Sequence, residues 1–224
     1  MGARWLAEHA HEGVPFVLVP TLRQKTYGNV PELIEHGAQW SIPQNFPPRD
    51  WPGGPVLAPW ATNKTLKAIE RANAHPTVRI ESLCVLKWEE TDCREWLAAR
   101  EAIDVTAPDR DRTTPTIDDG VVLVAMESLT GGVNLGTGLS HPLDRMAAIR
   151  TLEYLTHWDH ALDASEIVSW ALANGWSSAG GDALNDIIDR LNDGRTFRNI
   201  RRFRIRDRGE LRRRWELQAR QRGL

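Results

Sequence analysis

Residues 15–21 read PFVLVPT, a compact apolar run rich in β-forming residues, and it reads as a buried strand. Two runs of the same kind follow, GPVLAPW at 54–60 and RIESLCVLKW at 79–88, with WSIP at 40–43 as a shorter strand. Helical stretches lie between them: RWLAEHAHE (4–12), stopped by Gly13; PELIEHGAQ (31–39), opening at Pro31; TNKTLKAIERANAH (62–75), capped by Thr62; and TDCREWLAAREA (91–102). QNFPPRDWPGG (44–54) is a loop by its prolines and glycines. Strands alternating with helices argue for parallel βαβ units, and strands apolar on both faces fit a sheet covered on both sides. Residues 1–103 are therefore expected to form an α/β, Rossmann-like parallel-sheet domain.

The stretch DVTAPDRDRTTPTIDDG (104–120) is polar and rich in Pro, Asp and Thr, which marks 104–117 as a linker. Beyond it the period turns helical. VVLVAMESLTGGVNL (121–135) is a helix weakened by Gly131 and Gly132. HPLDRMAAIRTLEYLTHW (141–158) has Ser140 or His141 as cap and Pro142 in its first turn. DASEIVSWALANGW (163–176) opens with Asp163 and Glu166 at capping-box spacing and closes at Gly175. Ser177 or Ser178 opens the next helix, which ends at Gly194. TFRNIRRFRIRDRG (196–209) alternates like a strand, and ELRRRWELQARQ (210–221) is a last helix. Three helices, a short turn between the last two, then a basic ribbon: this order resembles a winged helix-turn-helix domain. The resemblance is one of topology and implies a nucleic-acid-binding role. Residues 118–224 are expected to be mainly helical and winged-helix-like, with an arginine-rich end.

The net charge of −2 hides a segregation. From Arg190 to Leu224 there are 13 arginines against four acids, a balance of +9, so the other 189 residues carry −11. Clustered basic charge is the footprint of phosphate binding. The alternative is that the basic end docks on an acidic surface of its own or a partner chain. A recognition helix at 179–193 would carry Asp182, Asp186, Asp189 and Asp193 on one face, opposite Leu184, Ile187, Ile188 and Leu191. That stripe repels DNA. The candidate nucleic-acid contacts are therefore on the ribbon and last helix: Arg198, Arg201, Arg202, Arg204, Arg206, Arg212 and Arg213. Such a face meets phosphates without reading bases.

In open parallel sheets, ligands bind beyond the carboxyl ends of the strands. Those ends would gather Thr21 and Lys25, then Trp60, Thr62, Asn63 and Lys64, then Lys87 and Trp88. Thr62 to Lys64 also open a helix, where free N–H groups favour an anion. These eight residues are the candidate ligand set, for a nucleotide or phosphorylated compound. The competing reading makes them capping residues and rim tryptophans of a scaffold, since no glycine-rich phosphate loop follows the first strand.

Other motifs give less. GGVNLGTGLSHP (131–142) does not spell GxGxxG and follows a helix, so it reads as a helix break with close packing. Glu153, His157 and His160 with Asp159 would make a metal site only if they converged, and histidines near a helix C-terminus commonly complement its dipole. Ser140 and His141 are adjacent and form no dyad. Cys84 and Cys93 have neither framework nor zinc spacing, which fits a reduced cytoplasm. The start MGARWLAEHAHEG is no secretory signal, and no apolar run reaches the roughly 20 residues a membrane span needs. No cofactor and no catalytic residue is indicated. The expected function is non-catalytic: binding of nucleic acid or a protein partner, or self-association, through the arginine-rich end. A phospholigand-binding enzyme or sensor built on the amino-terminal strand ends is the alternative.

Overall fold

The computed structural model describes residues 2–86, 93–103, 115–197 and 208–224. Lys87, Trp88, most of the expected linker and the ribbon arginines Arg198, Arg201, Arg202, Arg204 and Arg206 lie outside the described residues. The chain divides into two compact units, Met1–Cys93 and Arg94–Leu224.

In the first unit the elements run α1 (Gly2–Glu8), β1 (Phe16–Leu18), α2 (Val30–Glu35), β2 (Gln39–Ser41), β3 (Gly54–Pro59), α3 (Asn63–Asn73) and β4 (Ile80–Leu86). The four strands form one parallel sheet in the order β2-β1-β3-β4. This is the α/β sheet expected from the alternating pattern. Val17 pairs with Trp40 on one side and Leu57 on the other, and Leu57 pairs with Cys84, so these residues form one row across one face. That row joins Leu6 of α1 and Val30 of α2 in a single apolar cluster. Phe16, one residue earlier, points the other way and meets the rings of Phe46 and Trp51 at 5.0 and 5.1 Å. Every residue of β3 is buried, as a central strand covered on both faces must be.

The second unit is helical among its described residues: α4 (Arg94–Ala98), α5 (Gly120–Thr130), α6 (Pro142–His157), α7 (Ala164–Ala173), α8 (Ser178–Asn192) and α9 (Arg208–Arg222). α5 packs on α6, α7 and α9, α8 packs on α6 and α7, and α4 packs on α7. Met126, Leu152, Leu155, Ile167, Leu184, Ile187, Ile188 and Trp215 are buried. Ser177 is the cap of α8, its hydroxyl accepting from Gly180 N–H. Asp163 caps α7 through Glu166 N–H, but the box is half made, because the Glu166 carboxylate turns to Asp118 N–H instead. α5 stops at Thr130, five residues short of the expected end: Gly131 N–H still bonds Glu127 O, four back, but Gly132 N–H bonds Leu129 O, three back, and leaves the ladder. The helix expected over 91–102 is described only as α4, and it belongs with the second unit through its packing on α7.

α6 ends in a Schellman pattern, with Asp159 N–H bonded to Thr156 O and His160 N–H to Leu155 O. The residue at the left-handed position is Asp159, at φ 62°, where glycine carries no Cβ penalty. Asp159→Gly is expected to stabilise the helical unit by about 0.5–1 kcal/mol. Urea unfolding followed by circular dichroism measures it, and a lower midpoint in the variant would contradict this account of the turn.

Candidate functional site

The strand order reverses at β1 and β3: the chain steps from β1 out to β2, then returns past β1 to lay down β3 and β4. The segments leaving β1 and β3 therefore leave adjacent strands at their carboxyl ends. After β1 comes a tight 3-10 turn, Leu22–Thr26, with Thr21 hydroxyl donating to Gln24 Oε1 at 3.0 Å. After β3 the chain turns sharply at Trp60, whose φ is +52°, and enters α3 through Thr62. A non-glycine residue there costs about 1–3 kcal/mol of local strain and needs its surroundings to hold it. Trp60 is held by the apolar cluster on the Val17 face and by Tyr27, whose ring meets it edge-on at 6.4 Å. That contact joins the two loops.

Thr62 closes a full capping box with Thr65: its hydroxyl accepts from Thr65 N–H, and its own N–H donates to the Thr65 hydroxyl. Asn63 and Lys64 follow in the first turn, both exposed. Lys64 makes no hydrogen bond or ion pair among the described residues. Lys25 lies with its ammonium 4.1 Å from the centre of the Trp40 ring. Of the eight candidate ligand residues, Thr21, Lys25, Trp60, Thr62, Asn63 and Lys64 thus lie on the loops that follow β1 and β3, while Lys87 and Trp88 are outside the described residues. Sequence reasoning missed Leu22 and Tyr27, which expose apolar surface on the same edge, at 64% and 41%. Their signal was their position between a strand end and the Gly28–Asn29 turn.

In the second unit the arginines divide. Arg212 bonds Glu216 at 2.7 Å and lies over the Trp158 ring, Arg222 bonds Glu127, and Arg208 lies over the Tyr154 ring at 5.0 Å. Trp215, 3% exposed, meets Trp158 edge-on and fixes the inner face of α9. Arg213, Arg214 and Arg220 are exposed and make no ion pair or hydrogen bond among the described residues. Of the two α9 residues in the expected nucleic-acid set, Arg213 points outward and Arg212 is already engaged. Along the α8 stripe, Asp186 meets Arg145 and Arg190, Asp189 accepts from Asn185, and Asp193, at the C-cap, meets Arg195.

Glu153 and His157 line a groove of about 320 Å³ with Tyr154, Leu191, Arg195 and Arg208. Burial pushes the Glu153 carboxyl above its ordinary range, against the pull of Phe197 N–H, Arg208 and Arg150. His160 does not join them, because its Nδ1 donates to Asp119 Oδ2 at 2.7 Å. Among the described residues no group of three or more His, Cys, Asp or Glu side chains is placed to hold a metal. Gly138 accounts for the glycine-rich segment: at φ 59° it lies so close to the first turn of α8 that a Cβ would stand 2.7 Å from that of Ala179. Cys93 is buried with its thiol toward Ala61 O, and burial raises the Cys84 thiol. No helix among the described residues is long and apolar enough to cross a membrane.

Residues 118–216 match a domain of unknown function (DUF1889), a span within the helical unit that covers less than half of the chain. No curated protein and no solved structure matches the chain.

Asp119 caps α5, its Oδ1 accepting from the N–H groups of Val121 and Val122 at 2.8 and 3.2 Å. Burial alone would raise its carboxyl, but the His160 hydrogen bond and charge, with the two N–H groups, outweigh it and hold it below the ordinary range. A carboxyl lowered by folding stabilises above its unfolded pKa, about 3.9, and that contribution is lost as pH falls through the folded value. Asn caps as well as Asp but carries no charge. The stability advantage of the wild type over Asp119→Asn, read by urea unfolding, is therefore expected at pH 5 and shrinks by pH 3. An advantage unchanged over that interval would contradict the assignment.

Proposed function

We propose that the amino-terminal unit binds a small anionic ligand, a nucleotide or other phosphorylated compound, at the carboxyl edge between β1 and β3. The observation that carries this reading is the reversal of strand order there, since open parallel sheets take ligands where neighbouring crossovers part. The residues on that edge support it chemically. The first turn of α3 offers backbone N–H groups, Asn63 an amide and Lys64 an exposed ammonium, a compact charge suited to phosphate. Leu22 and Tyr27 supply exposed apolar surface for the rest of the ligand. The role is binding, as carrier or sensor, with no residue assigned to catalysis.

A thermal-shift screen of nucleotides, sugar phosphates and pyrophosphate tests it, repeated on Lys64→Ala. A ligand held at 100 times its Kd adds about 2.7 kcal/mol to the stability of its domain. Stabilisation by at least one of these anions is expected, reduced in Lys64→Ala, whose exposed side chain has no partner among the described residues to lose. No shift from any anion would remove the reading.

A second reading concerns the helical unit and is favoured by Arg213, Arg214 and Arg220, which are exposed on one helix and unpaired among the described residues. It makes the outer face of α9 a docking surface for an anionic macromolecule, in an accessory or regulatory role. The winged-helix-like arrangement of the sequence would place its ribbon in 196–209, largely outside the described residues.

A further inference from the structure

We infer that the occupant of the outer face of α9 is a nucleic-acid backbone, held through phosphates by Arg213, Arg214 and Arg220; this rests on the second reading above. The geometry of the helix separates these three from the other arginines. Trp215 and Ala219 are buried and define the inner face. On a helix of 3.6 residues per turn, positions 213, 217 and 220 fall opposite them, and 214 lies to one side. The inward arginines have found partners: Arg212 in Glu216, Arg222 in Glu127 and Arg208 on the Tyr154 ring. The outward three have none among the described residues, and Asp186 of α8 and Asp193 at its C-cap are taken by Arg145, Arg190 and Arg195.

Charge complementarity therefore calls for an external anion, and the character of the face selects which kind. A protein partner is held chiefly by buried apolar or aromatic anchors at the centre of the contact. Between Arg213 and Arg220 this face offers one large apolar side chain, Leu217, at 56% exposure. Gln218 and Gln221 beside it are neutral hydrogen-bonding groups that phosphate and sugar oxygens accept from, and the exposed acid on this side of α9, Glu210, lies at the start of the helix. Guanidinium forks match phosphate oxygens two at a time, and Arg213 and Arg220 lie about 10.5 Å apart along the axis, a span that meets more than one phosphate of a strand. Nothing in this arrangement reads bases.

Fluorescence anisotropy with labelled DNA and RNA of two unrelated sequences, at 50 and 200 mM salt, tests the assignment. A polyglutamate peptide of equal charge serves as the competing occupant. Three phosphate contacts give a log–log salt slope near −2.7, so affinity is expected to fall about 40-fold between the two salts, alike for both sequences. In Arg213→Gln/Arg214→Gln/Arg220→Gln the slope is expected to flatten by about 2 to 3, while Arg212→Gln/Arg222→Gln leaves it nearly unchanged. Circular dichroism confirms that the triple variant keeps its helices. Nucleic-acid binding that the triple variant retains with its slope intact would overturn the inference. So would binding of polyglutamate, lost in the triple variant, with none of nucleic acid; the broader docking reading would then survive. Absence of binding to either at 50 mM salt would overturn both.

Discussion

The row Trp40–Val17–Leu57–Cys84 is what the amino-terminal unit depends on. β1 and β3 are buried on both faces, so every N–H and C=O they carry must find a partner inside the protein. A parallel ladder on both sides of β1 does this, and Leu6, Val30 and Leu57 close the Val17 face. Removing a buried apolar side chain here would cost about 2–5 kcal/mol, a large part of the stability of a domain this size. Because β1 is flanked by β2 and β3, the chain must leave it in one direction and come back past it in the other. The loops after β1 and β3 are then neighbours at the carboxyl edge of the sheet.

What stands on that edge follows from the same constraint. The turn into α3 is abrupt enough to drive Trp60 into the left-handed region, and the strain is tolerated because its ring is held by Tyr27 and the Val17 cluster. The Thr62–Thr65 box then fixes where α3 begins, and with it the position of Asn63 and Lys64. In the helical unit a single buried anchor has a comparable effect: Trp215 sets which side of α9 is inside. Arginines turned inward meet acids or aromatic rings, and those turned outward keep their charge for solvent or for a partner.

The strands were legible because parallel-sheet strands are continuous apolar runs, as PFVLVPT and GPVLAPW are, and the helices because their caps are written in Thr62, Asp163 and Ser177. The ends of elements were less so. The helical pattern runs through Gly131 and Gly132, and the ladder is left only where Gly132 N–H bonds Leu129 O, three residues back. The partition of the arginines was hidden for a different reason. Arg212 and Arg213 are neighbours in sequence and alike in chemistry, and they differ only through the direction imposed by Trp215, a tertiary fact. Likewise His160, just past the end of α6, belongs to Asp119, 41 residues away, and no spacing along α6 announces that. Strand order, which locates the edge, cannot be read from the order of elements, because β2 could have lain on either side of β1.

The most direct test of the central claim is a titration of 15N-labelled protein with pyrophosphate, followed by amide chemical shifts. The account predicts saturable shifts concentrated in residues 20–28 and 60–66, the loops that follow β1 and β3. Shifts that do not saturate, or that fall only in the helical unit, would contradict it.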